Sequence, residues 1–314
     1  MALTSLLDLE LSVPDPGQLA DFWVRRGMTL TGAGVLGTAE RPSQLRLREG
    51  GYRHVSELRV GCSSERDLEE AAVRLDKLGV EAQVGDGVLR CADPINDHQV
   101  VLEVVDAEPL APPRPRAMNG PGRRDRIDRR SSACLGEAPK APRRVGHVVF
   151  GSTDVDASRD FYVDGLGFRI SDAVGGGFAW FLRCSSDHHN MLLMPSPVPC
   201  LNHYAIEMDD VDAIGLAGME VVAERADCAV TGIGRHVVGA NLFWYLLDPA
   251  GGMFELFADM DQIVDDERWE AEQRRDDWDP LTIAAWEPSP AKPDFFLPTD
   301  IDVIAAGRDA AGLR

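Results

Sequence analysis

Leu6 to Val13 alternates apolar and polar side chains closely enough to predict a strand, and Pro14-Asp15-Pro16-Gly17 ends it. Gln18 to Arg26 then carries Leu19, Phe22 and Trp23 at helical spacing. Strand-like segments follow at 44–48 and 54–61. Glu65 to Lys77 predicts a strong helix, with Leu68, Ala71, Ala72 and Leu75 on one face and Gly79 just beyond its end. Val80 to Val84, Val88 to Cys91 and Gln99 to Val105 read as short strands, so the predicted order is β-α-β-β followed by β-α-β-β-β.

The periodicity stops at Pro112 and resumes after Arg144. Val145 to Ser152 again predicts a strand and Asp154 to Asp160 opens a helix. Asp15, Asp21 and Phe22 match Asp154, Asp160 and Phe161, each 139 residues apart. His203 to Met208, Val211 to Gly218, and Asp248-Pro249 before Met253 to Phe257 echo 54–60, 65–79, and Asp93-Pro94 before Val100 to Val104. An internal duplication is the economical account of this length.

Composition narrows the classes. The chain has 314 residues, 44% hydrophobic and 27% charged, and it carries a net charge of −20. It is long enough for two domains with their own cores. Its acidity argues against nucleic-acid and anionic-membrane partners, which need clustered Lys and Arg. The local exception runs from Arg114 to Arg144, with ten basic and three acidic residues. It reads as a solvated linker that can dock on an acidic surface of the same protein, because it lacks the aromatics of a nucleic-acid arm. Six cysteines show no zinc-type spacing and read as reduced thiols. The first ten residues lack a basic signal-peptide region, and no apolar stretch is long enough to span a bilayer. These features predict a soluble cytoplasmic protein.

Five of the seven histidines lie between 147 and 236. His147 stands in Val145-Gly-His-Val-Val-Phe, His203 in Leu201-Asn-His-Tyr-Ala-Ile, and Glu255 in Met253-Phe-Glu-Leu-Phe. Each alone has an ordinary reading, as a satisfied core histidine or a surface-facing Glu on a half-exposed strand. Together, two imidazoles and a carboxylate on three strands of one sheet are the ligand set of a facial triad. That set suits non-haem Fe(II), with Mn(II) the nearest substitute.

The second half resembles the type I extradiol ring-cleavage dioxygenases of the vicinal-oxygen-chelate superfamily. The likeness rests on Gly146-His147, Asn202-His203 and the Asp248-Pro249 turn leading to Glu255, together with Asp187-His188-His189-Asn190, Gly234-Arg235-His236 and Phe243-Trp244-Tyr245. It covers roughly 1–106 and 143–262. It implies an α+β fold of two tandem vicinal-oxygen-chelate domains, each built from paired βαβββ modules around a mixed, cup-like sheet. The expected layout is a non-catalytic domain at 1–110, a basic linker at 111–143, a catalytic domain at 144–262 and an acidic tail at 263–314.

By the same resemblance, His147, His203 and Glu255 hold Fe(II), or Mn(II) in its place. His189 is the active-site base, with His188 its neighbour, and His236 and Tyr245 hydrogen-bond the substrate. The substrates implied are a substituted catechol and O2, the product is a ring-opened hydroxy-semialdehyde or keto compound, and the enzyme assembles as a homo-oligomer. In the first half, the 139-residue offset puts Asp8 where His147 lies and leaves Val100 or Val101 near the place of Glu255, and His54 and His98 complete no triad. That module is expected to be the inactive copy.

Two readings compete. A glyoxalase-like isomerase would keep the triad without needing His189, His236 and Tyr245 together, and a ligand-sequestering module would commonly lack the triad. Trp180, Phe181, Met191 and Leu193 read as pocket lining or as plain core, and Arg235 as a contact for an anionic substituent or a surface residue. The stretch from Ala258 to Arg314, with fifteen acids, six bases and Trp269, Trp278, Trp286, Phe295 and Phe296, predicts an extended strap that packs on its own or a neighbouring subunit and shapes the entrance to the site.

Overall fold

The computed structural model describes residues 3–106, 116–137, 140–282, 284–287 and 297–313. Phe295, Phe296 and the first part of the predicted linker lie outside them.

The first domain runs β1 (Leu3–Val13), α1 (Pro16–Arg25), β2 (Thr29–Gly32), β3 (Val35–Gly37), β4 (Leu45–Glu49), β5 (His54–Cys62), α2 (Glu65–Lys77), β6 (Ala82–Gly85), β7 (Val88–Ala92) and β8 (Gln99–Val104). Its sheet order is β2-β3-β4-β1-β5-β8-β7-β6. Two βαβββ modules therefore join side by side through the antiparallel β1–β5 pair, each closed by a parallel pair, β1–β4 or β5–β8. The predicted β-α-β-β start was two strands short. The missing hairpin, β2 with β3, lies at the sheet edge, and β2 is exposed throughout, so no apolar alternation marks it.

A basic hairpin follows, β9 (Asn119–Gly120) with β10 (Arg123–Arg124). The second domain then comprises β11 (Arg144–Ser152), α3 (Val155–Asp160) running into a π-turn at Phe161–Leu166, β12 (Arg169–Val174), β13 (Ala179–Arg183), β14 (Met191–Pro195), β15 (Cys200–Glu207), α4 (Val211–Glu224), β16 (Gly234–His236), β17 (Leu242–Leu247) and β18 (Met253–Ala258). From the tail come α5 (Asp266–Arg268), β19 (Ala284–Trp286) and α6 (Ile301–Ala310). The second sheet repeats the first order as β12-β13-β14-β11-β15-β18-β17-β16, and β19 adds to its β16 edge. Among the described residues no helix is long and apolar enough to cross a membrane.

Asp side chains cap most helices, Asp15 at α1, Asp154 at α3 and Asp210 at α4, each accepting a first-turn backbone N–H. The helices pack on the convex faces of both sheets in one continuous core. Aromatic pairs at the repeated position cross between domains. Trp23 Nε1–H donates to Tyr204 Oη at 3.1 Å, and Trp23 and Phe22 pack edge-on against Phe254. In the mirror arrangement, Tyr162 Oη meets His98 Nε2 at 2.8 Å, so His98 is a satisfied core histidine.

The basic joint meets an acidic rim of the second domain. Arg116 pairs with Asp210, Lys140 with Glu220, Arg143 with Asp209 at 3.3 Å, and Arg144 with Glu207 and with Asp187 at 3.0 Å. The tail also folds back on the chain. Arg53, fully buried, is held by Asp300 at 2.7 Å, and α6 packs against Tyr52.

Candidate metal centre

The concave face of the second sheet holds the chemistry. On β11, Val145 belongs to the core while His147 faces the cup, and a register irregularity lies between them. A second irregularity faces Asn202, where β15 delivers His203 into the cup. Such bulges re-aim side chains at functional sites. Gly146 is required here because a Cβ would stand 2.4 Å from the Phe257 ring. β18 runs parallel to β15 with Glu255 beside Ala205, which brings its carboxylate level with both imidazoles.

His147 Nε2 lies 2.9 Å and His203 Nε2 lies 3.3 Å from Glu255 Oε2, with all three residues buried. Among the described residues no second group of three such ligands occurs. Burial opposes the charge on Glu255, but the two imidazoles more than offset it and hold the carboxyl well below its usual range. Burial pushes His203 down to about 4 against the opposing pull of Glu255.

These residues fit a metal on their own geometry. His203 Nδ1–H donates to Asn202 Oδ1 at 2.7 Å, which leaves the lone pair on Nε2. That Nε2 has no hydrogen-bond partner although a carboxylate oxygen faces it. Two acceptors turned toward one another in a buried site need a cation between them. Asn241 Nδ2–H donates to Glu255 Oε1 at 2.9 Å and leaves Oε2 for the imidazoles. Asn202 and Asn241 thus orient the ligands, a role the sequence does not advertise. A polar residue just before an apolar strand, as in Asn241-Leu242-Phe243, looks like an ordinary turn residue.

The other residues singled out converge on the same cavity. His189, His236 and Tyr245 line it with the triad. His189 stacks obliquely on His147 with ring centroids 4.5 Å apart, and burial, reinforced by the surrounding histidines, lowers its pKa well below the usual value. His236 Nε2 is 2.9 Å from Tyr245 Oη. Burial, with Glu255 nearby, pushes the Tyr245 phenol well above its usual value and keeps it protonated.

The walls are apolar: Val149, Phe181, Leu192, Met194 and Val238, with Val174, Trp278, Asp279 and Thr282 at the mouth. Phe181 therefore lines the cavity, whereas Met191 and Leu193 face the core, because alternate β14 side chains point to opposite faces. Trp180 packs against the core, and Arg235 pairs with Asp259 at 2.9 Å on the surface. Part of the tail meets the mouth. Gly175 N–H donates to Trp278 O at 2.8 Å, and Trp269 Nε1–H to Ser171 O at 2.8 Å.

Residues 144–256 match the profile of the glyoxalase/bleomycin resistance protein/dioxygenase superfamily. This segment, 113 of the 314 residues, is a domain of that superfamily. The chain is 37% identical over 131 residues to metapyrocatechase 2 of Cupriavidus necator, covering 41% of each chain. It is 34% identical over 143 residues to the iron-dependent extradiol dioxygenase of Rhodococcus jostii, covering 41% of this chain and 47% of that one. The chain thus matches less than half the length of these curated relatives.

Solved structures extend the likeness to both domains at the level of fold. Homoprotocatechuate 2,3-dioxygenase of Brevibacterium fuscum aligns with a TM-score of 0.73 at 18% identity, over 94% of this chain and 92% of that one. The Mn(II)-bound glyoxalase of Novosphingobium aromaticivorans aligns equally well, with a TM-score of 0.73 at 20% identity over 94% of both chains. Two domains in tandem, each with a curled mixed sheet, are therefore the architecture of the chain.

Proposed function

We propose that this chain is a metal-dependent extradiol dioxygenase, held in the Fe(II) form by His147, His203 and Glu255, that opens the ring of a substituted catechol. One observation carries the reading: the triad, His189 and the His236–Tyr245 pair all meet in one apolar cavity. The names of the curated relatives support it, and the donor set accepts Fe(II), with Mn(II) as the nearest substitute. A bound divalent iron supplies open coordination positions and the redox chemistry that lets a catechol react with O2.

The chain's own residues account for the rest. His189 is placed to accept a proton from a substrate hydroxyl. Tyr245, kept as the phenol and held by His236, donates a hydrogen bond toward the substrate oxygen. The apolar walls exclude water and grip the ring. Among the described residues that line the cavity there is no lysine or arginine, so the ring substituent is uncharged. Both atoms of O2 enter the product and no outside reductant is needed. A glyoxalase-like isomerase would leave His189 and the His236–Tyr245 pair without a task.

Anaerobic loading with Fe(II), followed by air and a panel of catechols, tests the proposal. A yellow ring-fission product from 3-methylcatechol or 3-phenylcatechol is expected, with catechols bearing a carboxylate turned over poorly. Metal-loaded protein that opens no catechol would overturn the reading. The proposal extends to a cytoplasmic homo-oligomer, supported in its first part by six free thiols of which five are buried. Light scattering tests the second part.

A further inference from the structure

We infer that Asp172 and His188 are positioning residues that decide which nitrogen His189 presents to the cavity. The inference rests on the dioxygenase reading, in which His189 is the base. His188 Nε2 lies 3.1 Å from Asp172 Oδ2, and His188 Nδ1 lies 3.1 Å from His189 Nδ1. An ionised carboxylate can only accept, so it holds the His188 proton on Nε2. In a neutral His188 the Nδ1 is then a lone pair, and the hydrogen bond between the two Nδ1 atoms must be donated by His189. His189 therefore carries its proton on Nδ1 and keeps its Nε2 lone pair for the cavity it lines. The opposite tautomer would offer the substrate an N–H and could not take a proton.

The chain is built to stay in this state. Asp172, His188 and His189 are all buried. The second oxygen of Asp172 accepts the backbone N–H of Arg275 at 2.6 Å, so the tail fixes the carboxylate from outside. Gly239 lies against the histidine pair at a φ of +78°, where a Cβ would stand 3.1 Å from one Nδ1 and 3.2 Å from the other. Trp269 covers His188 edge-on with ring centroids 5.5 Å apart.

Asp172→Asn inverts the chain without changing its shape. The Arg275 N–H still needs an acceptor, so the amide oxygen takes that side and the amide NH2 turns to His188 Nε2. His188 must then carry its proton on Nδ1, and His189 must move its own to Nε2. The equivalent exchange behind a catalytic imidazole in Ser-His-Asp hydrolases lowers turnover by about 10⁴-fold through the wrong tautomer. Here a fall in kcat of about 10²–10⁴-fold is expected, the range of a lost general base, with KM and metal content within twofold of wild type.

The direct readout is two-bond 1H–15N NMR of the histidine-labelled full chain loaded with diamagnetic Zn(II), with signals assigned by substituting His188 and His189 singly. Wild type should show His188 protonated on Nε2 and His189 on Nδ1, and Asp172→Asn should show His189 protonated on Nε2. A wild-type His189 protonated on Nε2 overturns the inference, as does an Asp172→Asn protein with unchanged tautomers and kcat. If the variant fails to fold by circular dichroism, the wild-type spectrum decides alone. The expected tautomers in a protein that opens no catechol would leave this geometry standing and defeat the dioxygenase reading instead.

Discussion

The two cups share a ladder and differ in what stands on it. In the second sheet His147, Ala205 and Glu255 are neighbours across β11, β15 and β18, and in the first sheet Asp8, Arg59 and Val101 occupy the same rungs of β1, β5 and β8. Glu57 stands opposite Glu10 as His203 stands opposite Val149, so the three ligand places hold Asp8, Glu57 and Val101. Arg46, on the rung of Leu192, reaches between them and bonds Asp8 at 2.9 Å, Glu10 at 2.7 Å and Glu57 at 2.7 Å. Inward-facing anionic groups in a closed cup need a cation. The first domain carries its own, a guanidinium on the chain, whereas the second leaves the place to an ion from solution and so keeps room for a substrate.

The largest effect that can break this contrast is removal of a ligand. His147→Ala should abolish bound iron, measured by metal analysis, and take ring opening below detection. An alanine variant that kept both would mean that the second cup is not the metal centre. Next come the orienting amides. Asn241→Ala frees Glu255 Oε1 and Asn202→Ala frees His203 Nδ1, and each should weaken metal affinity or turnover by about 10–100-fold, the usual consequence of losing a group that orients a ligand. A metal titration that matched wild type would show that the ladder alone orients the triad.

The sequence reveals a good part of this contrast, and the parts it hides share a cause. The 139-residue offset aligns Asp8 with His147, and it does so because β1 and β11 are the same strand of one repeated unit. His147, His203 and Glu255 can be read because polar groups within apolar strands violate the local pattern. Arg46 cannot be read in this way. In Leu45-Arg46-Leu47-Arg48-Glu49 it looks like the solvent side of an ordinary strand, and only the curl of the sheet turns it toward Asp8. Asp172 and His188 are 16 positions apart and meet only through the fold. The choice of Leu192 and Met194 over Met191 and Leu193 as pocket wall depends on a one-residue phase that apolar runs do not disclose.

Arg46→Met tests the plugged cup. It removes the one cation that bonds all three of Asp8, Glu10 and Glu57, while Arg59 still holds Glu57 at 2.7 Å and faces Asp8 at 3.9 Å. The acids keep between 11% and 21% of their side-chain surface in water, so the expected cost is about 2–3 kcal/mol, somewhat below that of breaking a fully buried pair. Urea unfolding should show the loss, while kcat of the folded fraction stays that of wild type. A variant of unchanged stability would mean that the acids of the first cup do not depend on Arg46.

Metal removal is the gentlest probe, because it leaves every covalent bond in place. Binding to the folded state stabilises it by about 2.7 kcal/mol when free metal is 100 times its dissociation constant. The core runs unbroken from the helices of one domain to those of the other, so both cups should melt in one transition that moves as a whole. For a chain of this size that corresponds to a fall in Tm of about 4 °C on chelation, recovered by Fe(II) or Mn(II). Arg46→Met should start from a lower Tm and show the same metal-dependent shift, since its lesion lies in the cup that carries no triad. If the variant instead gained a second equivalent of metal, the acids of the first cup would themselves be a ligand set that the guanidinium had been masking. The two halves would then differ by one side chain rather than by three.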